Sequence, residues 1–278
     1  MVTTRDQRGV ALIFVLWLLV LLGVIIAEVA SRTRAEAALL TSLRSRTVAR
    51  YAAESGILAA TVAIDRLLDS THNPLERASV FRQLDARLAS LTDVELGGAR
   101  FGIAALDLNA RIDLNRADVA TLRGLFSQFT SDARADTVAA ALKLNPIRRL
   151  AELSRVPGID DSLALAVAPY VTVWSDGLVN INSAPEPVLA ALPGVAAAAP
   201  GIVARREGGE VFATLDPVHP PSMPGVVASA LLVSTAPSRL MLVSRGWQDG
   251  HPLTHEIQAV FAIVGRRLVL QSSWERDL

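Results

Sequence analysis

Two imidazoles stand four residues apart in His251-Pro252-Leu253-Thr254-His255, a spacing that suits a metal-binding histidine pair. Such a pair binds zinc from one face of a helix, and Pro252 with the strand-like pattern that follows removes that geometry. His72 and His219 stand alone. The chain has no cysteine, which excludes a thiolate nucleophile, a thiolate zinc site and a disulfide framework. No nucleophile elbow, phosphate loop or dinucleotide glycine pattern occurs. The residues give no grounds for an enzyme, and no catalytic, cofactor-binding or metal-binding residue is assigned.

Two further groups could face an ion. Asp160-Asp161 offers adjacent carboxylates, far short of the six or more oxygens that calcium takes, and its place before a helical stretch reads as a cap. Arg205-Arg206 could face a phosphate, with Glu207 and Glu210 close by. Each group follows a Pro-Gly-hydrophobic turn, Val156-Pro157-Gly158-Ile159 or Leu192-Pro193-Gly194-Val195, that resembles a helix-hairpin-helix turn. DNA-binding versions usually carry a second glycine two residues on, where backbone amides approach a phosphate. Here Asp160 and Ala196 stand in those places. The charges balance, 27 Lys plus Arg against 27 Asp plus Glu, which also argues against nucleic acid as a partner. The hairpins read as structural.

The elements that must carry these residues are distributed unevenly. Apolar residues make up 51% and charged ones 19%, excluding a disordered or coiled-coil chain. Val10 to Ala27 runs 18 residues without a charge, about 27 Å as a helix, just short of a bilayer core of roughly 30 Å. A secretory signal would be shorter and would end at a small-x-small site, whereas this run continues into a helical pattern. The helix is expected from Val10 to about Leu68, stopped by His72-Asn73-Pro74. Leu40, Leu43, Tyr51, Leu58 and Val62 share an arc of about 100° on its wheel, so this stripe is expected to face the core.

A short charged leader ending in Gly9, an apolar helix and then a larger head resemble a type IV pilin-like precursor. The resemblance implies that a prepilin peptidase cuts after Gly9 and methylates the new amino terminus, Val10. Most such chains carry Glu at mature position five, which here is Phe14. A carboxylate deep in lipid is costly and is kept for pairing, so its absence sets this chain apart from a repeating shaft subunit. Arg32, Arg34, Arg44, Arg46 and Arg50 follow the span and only Arg5 and Arg8 precede it. A positive-inside count would place the head in the cytoplasm. The resemblance implies the opposite, and long domains translocate largely regardless of charge.

Beyond the helix, Leu75–Leu91 reads as a second amphipathic helix and Gly97–Leu108 as a strand. Leu240–Trp247, His255–Val264 and Arg267–Ser272 read as three more strands, with His255–Val264 inside the sheet. Between them lies an Ala-, Leu- and Pro-rich helical region containing an internal repeat. Ile112-Asp-Leu-Asn-Arg-Ala-Asp-Val-Ala-Thr-Leu122 aligns with Val179-Asn-Ile-Asn-Ser-Ala-Pro-Glu-Pro-Val-Leu189 at an offset of 67 residues. Each copy is a short extended piece ending in Asn115 or Asn182 and then a helix start, where Asn115 or Arg116-Ala117-Asp118, and Ser183-Ala184-Pro185-Glu186, offer cap, acidic first turn and first-position proline. The expected organisation is a leader at 1–9, a transmembrane and pilin helix at 10–68, and a pilin-like region in two parts, 69–110 and 226–278. An inserted α-helical domain spans 111–225. The fold class is α+β, a long amino-terminal helix with an antiparallel sheet.

That order of elements, with Asp107-Leu-Asn-Ala-Arg-Ile-Asp-Leu-Asn115 and Val179-Asn-Ile-Asn-Ser-Ala-Pro-Glu-Pro-Val-Leu-Ala-Ala-Leu-Pro-Gly194, resembles the minor pseudopilin K family of type II secretion, the general secretion pathway protein K. The likeness spans nearly the whole chain. It implies a subunit at the tip of a periplasmic pseudopilus with minor pseudopilins I and J, seated above the major pseudopilin. Prepilin peptidase, the inner-membrane assembly platform and membrane lipid are the other implied partners. The implied location is the bacterial inner membrane, single-pass, with the head in the periplasm. Some relatives bind calcium, but no ligand set is matched here and no cofactor is carried over. Two alternatives stay open, a membrane-anchored helix-hairpin-helix DNA receptor of the competence type and a type IV pilus minor pilin.

Overall fold

The computed structural model describes residues 6–218 and 232–278. Residues 1–5 of the leader, His219 and the expected boundary at Gly225 lie outside the described residues. The chain divides into two compact units, Met1–Val48 and Ala49–Leu278.

Helix α1 runs without a break over Asp6–Asp69. Its large apolar side chains from Leu12 to Val29 are exposed, and the helix is long and apolar enough to cross a membrane, with a mean hydropathy of 2.9 over its most apolar stretch. It ends where Asn73 caps the next helix, accepting from the Glu76 N–H, with Pro74 in the first turn. The expected helix Leu75–Leu91 is broken into α2 (Pro74–Arg82), α3 (Leu84–Arg87) and a 3₁₀ turn, because Gln83 takes a non-helical conformation at φ −99°, ψ 13°.

The sheet is antiparallel and five-stranded. Strands β1 (Val94–Leu96) and β2 (Ala99–Asp107) join through Gly97 and Gly98, both at positive φ, as a tight hairpin requires. The chain then leaves the sheet for the helical insert. Its elements are β3 (Ile112–Asp113), α4 (Val119–Phe126), α5 (Asp132–Leu144), α6 (Asp161–Val167) and β4 (Val171–Thr172), then β5 (Val179–Asn180), α7 (Glu186–Ala190), α8 (Ala199–Glu207) and β6 (Val233–Ser234). The chain returns as β7 (Arg239–Gln248), β8 (Thr254–Val264) and β9 (Arg267–Asp277). The order is β1-β2-β7-β8-β9, with Ile103 opposite Ser244 and Ser244 opposite Ile257. Strand β8 is interior, as expected, and β9 is a full edge strand that runs five residues past the expected end at Ser272.

The helix α1 face that meets this sheet is not the one its hydrophobicity predicts. Ala49, Ala52, Ala53, Gly56 and Ala60 are buried, with Ile64 and Leu68 beyond them, whereas Leu40, Leu43, Tyr51, Leu58 and Val62 are all exposed. The reason is steric. A Cβ on Gly246 would overlap the Ala49 carbonyl and the Ala53 nitrogen, and one on Gly56 would overlap the Ser244 hydroxyl. At that separation only small residues fit, and the large side chains turn outward.

The insert is a duplicated unit with its own core, including Leu122, Phe126, Val138 and Leu142 from the first half and Ile181, Leu189 and Ile202 from the second. In each half the repeat strand pairs in parallel with a short partner, Ile112 with Val171 and Val179 with Val233. The N–H of Leu114 then donates to Thr172 at 2.9 Å, and that of Ile181 to Ser234 at 2.9 Å. Asp118 caps α4 by accepting from the Thr121 N–H. The second copy departs from the expected cap, since the Ser183 hydroxyl turns to Asp107 and Pro185 itself holds the cap position of α7.

Candidate interaction surfaces

Gly9 and Val10 lie on the backbone of α1, and Phe14 is 77% exposed. The large apolar side chains of the span from Leu12 to Val29 are exposed among the described residues, and they suit lipid or other helices better than water.

In the second unit, α1 presents Tyr51, Leu58 and Val62 outward. Beside this ridge, a groove of about 330 Å³ runs between α1 and β9, lined by Ile57, Ile257, Leu270 and Trp274 among others. Arg50 stands at it with its Nε 3.0 Å from Glu275 and 3.3 Å from Glu54. The hydrogen bond from His255 and the nearby Arg50 cation hold the Glu275 carboxyl below its ordinary value.

The opposite face of the sheet carries a buried charge cluster. The Glu256 carboxylate accepts from Arg245 at 2.8 Å, from Gln258 at 2.6 Å and from Arg276 at 2.9 and 2.7 Å. Burial opposes its charge, but these donors outweigh burial and hold its carboxyl below the ordinary value. Trp174 of the insert stacks on Trp274 of β9, with ring centroids 5.2 Å apart and planes at 24°, which ties the insert to the sheet.

A polar hub closes the junction where the chain leaves and re-enters the sheet. Asp107, the last residue of β2, accepts from the Asn109 N–H at 2.7 Å, from Asn180 at 2.8 Å and from the Ser183 hydroxyl at 2.5 Å. Asn109 donates to Asp176 and Leu178 and accepts from the N–H groups of Ser238 and Arg239. Burial pushes the Asp107 carboxyl up despite these bonds. All four carboxylate oxygens of Asp107 and Asp176 accept protein donors, so both side chains are held in place as parts of the junction. Among the described residues no group of three or more His, Asp or Glu is placed to hold a metal.

The remaining candidates are absorbed into structure. Both ring nitrogens of His255 face carboxylates of β9, Asp277 at 2.7 Å and Glu275 at 3.2 Å, so the ring offers no nitrogen for a metal shared with His251. Asp160 caps α6 through the Leu163 N–H and pairs with Arg134. Arg205 forks onto Glu210 and lies over the Phe212 ring, and Arg206 donates to the carbonyls of Ile181 and Ala184. The small-residue face of α1 and the Asp107 hub were not foreseen. The first had a signal in the spacing of Ala49, Ala53, Gly56 and Ala60 and in a glycine inside a strand pattern at Gly246. The second had none, since its members come together only through the fold.

No family model matches the sequence, and no curated protein matches it. The fold does have a counterpart among solved structures. A chain in the crystal structure of the GspK–GspI–GspJ complex from the type 2 secretion system of enterotoxigenic Escherichia coli superposes with a TM-score of 0.61 at 15% identity, covering 85% of this chain and 98% of that one. The fold is therefore pseudopilin-like: a long amino-terminal helix, an antiparallel sheet and a helical domain.

Proposed function

We propose that this chain is a minor pseudopilin of a type II secretion system, placed at the pseudopilus tip. The observation that carries the reading is a pilin-like sheet opened between β2 and β7 by a duplicated helical insert, in a chain whose α1 keeps large apolar side chains outward. A bulky insert suits a subunit with nothing stacked above it, and an outward apolar helix face suits one packed among other helices. In this reading the span anchors the precursor in the inner membrane, with the head in the periplasm. Prepilin peptidase cuts after Gly9 and methylates Val10. Phe14, in place of a glutamate at mature position five, leaves the chain to nucleate a shaft instead of repeating within it. Its partners are minor pseudopilins I and J, the major pseudopilin and the assembly platform, and its role is mechanical support for export of folded proteins.

Mass spectrometry of the amino terminus after co-expression with a prepilin peptidase tests the reading. The expected mature chain begins at N-methylated Val10, and a chain still beginning at Met1 beside active enzyme would sink it. Co-purification with I and J subunits tests the tip role, which fails if no complex forms at micromolar concentration.

A further inference from the structure

Strand β9 is an edge of the sheet, and its pairing with β8 fixes which of its backbone groups are already used. The Leu278 N–H donates to the Thr254 carbonyl at 2.8 Å. Such pairs alternate along an antiparallel ladder, so Arg276 opposite Glu256 and Trp274 opposite Gln258 also turn their backbone groups to β8. Ser273 and Glu275 turn theirs to the open edge. Toward the start of β9 that edge is closed. The Leu268 N–H donates to Asp65 of α1, and the Gln271 amide reaches the carbonyls of Val269 and Leu270 at 3.3 and 3.4 Å. The open stretch is therefore short, and Ser272, Ser273 and Trp274 carry neither charge nor proline, the usual guards of an edge.

The groove of about 330 Å³ between α1 and β9 opens on this same stretch, since Ser273, Trp274 and Glu275 line it together with Ile57 and Leu270. Its charges are matched to one another, Arg50 with Glu54 and Glu275, and His255 with Glu275. What it offers a guest is an apolar wall beside a row of backbone donors and acceptors. We propose that this edge takes an extended segment of another polypeptide as a sixth strand, paired to Ser273 and Glu275. Guest residues directly opposite these two share their side of the sheet. That side faces α1, because Ile257 and Ala259, their partners in β8, are buried and line the groove. The guest is thus a segment with two small or medium apolar side chains, two positions apart, that enter the groove against Ile57 and Leu270. A docked helix would bury the backbone groups of Ser273 and Glu275 unpaired. A second copy's β9 is the other strand to consider. Helix α1 runs against β9, with Arg50 at Glu275 and Asp65 at Leu268, so antiparallel pairing of two β9 strands would point two α1 helices in opposite directions. On the pseudopilin reading both chains are anchored in one membrane by amino-terminal spans, which forbids that arrangement.

The probe is a fluorescein-labelled peptide alternating Thr with Val, about seven residues long, added to the full chain in lipid nanodiscs and followed by anisotropy. N-methylation of the Val amides, which would face β9, should weaken binding about tenfold or more, and N-methylation of the Thr amides should leave it nearly unchanged. Ser273→Pro removes the matching donor from the protein, and because that N–H points away from β8 the sheet keeps its ladder. This variant should bind about tenfold more weakly with its circular dichroism unaltered. Equal affinity of the plain and Val-methylated peptides would overturn the proposal, as would the absence of saturable binding up to about 1 mM peptide. Dimerisation of the chain itself that Ser273→Pro abolishes would give the edge to a second copy and equally overturn it. Peptide binding does not depend on amino-terminal processing, so this proposal and the pseudopilin reading fail separately.

Discussion

Asn115 and Asn182, 67 positions apart, make the same contact in the two halves of the insert. Each amide donates to the carbonyl and accepts from the N–H of one residue just past the second helix of its half. For Asn115 that residue is Ile147, at 2.8 and 3.0 Å, and for Asn182 it is Phe212, at 2.8 and 2.9 Å. Asn182 goes further and also donates to the Thr235 carbonyl at 2.7 Å. Replacing Asn182 by Ala leaves the Phe212 N–H and two carbonyls without partners, an expected loss of about 1–3 kcal/mol, with Asn115→Ala at the lower end. Chemical denaturation of the two variants checks the order, and equal stability of Asn182→Ala and the parent would contradict the contact's role.

Glycines on the two sides of the α1–sheet contact should respond differently from those in open space. Gly246→Val and Gly56→Leu force α1 off the sheet and should each cost about 3 kcal/mol or more. Gly201 in α8 has no neighbour within 4 Å of an added Cβ, so Gly201→Ala should stabilise by about 0.5–1 kcal/mol. Thermal melts of the three variants separate the cases.

Glu256 predicts an acid-dependent weakness. Its carboxyl sits below the ordinary value of 4.5 in the fold, so the stability it adds is complete above that value and is lost as pH falls through its lowered folded value. Glu256→Gln should cost about 1–3 kcal/mol at pH 7. The gap to the parent should begin to narrow once pH falls below that ordinary value and go on narrowing as the solution becomes more acid. A gap constant from pH 7 to pH 3 would place the effect in packing instead of charge.

Stacked Trp174 and Trp274 should give a near-ultraviolet circular dichroism signal that either Trp→Phe change removes. Trp274→Ala should also raise hydrogen exchange in the loop around Trp174, which would lose its anchor on the sheet.

What the sequence disclosed depended on the range of the physics involved. Strands β2, β7 and β8 were legible because their alternation and the Gly97-Gly98 and Gly265 turns are local. The repeat was legible as an offset, and the structure turned it into two matching sets of hydrogen bonds. The working face of α1 was misread because hydrophobicity ranks Leu and Tyr above Ala, while a close helix–sheet approach ranks them the other way. Ser183 has the form of a helix cap, yet an aspartate 76 residues earlier claims its hydroxyl. Glu256 reads as an ordinary strand residue and His255 only as half of a histidine pair, because their partners, Glu275, Arg276 and Asp277, belong to the neighbouring strand.

The last strand also closes on the first helix. Arg267 pairs with Asp65 and Asp69, the Leu268 N–H donates to Asp65, and Arg266 reaches the Asp69 carbonyl. On a ribosome, the alanine face of α1 is made roughly 190 residues before Gly246 exists to receive it. The end of α1 is thus fastened by a strand made well after it. A nascent chain cut short before β9 lacks these contacts to the end of α1 and leaves the long, largely apolar β8 as a sheet edge, a template for pairing with another chain.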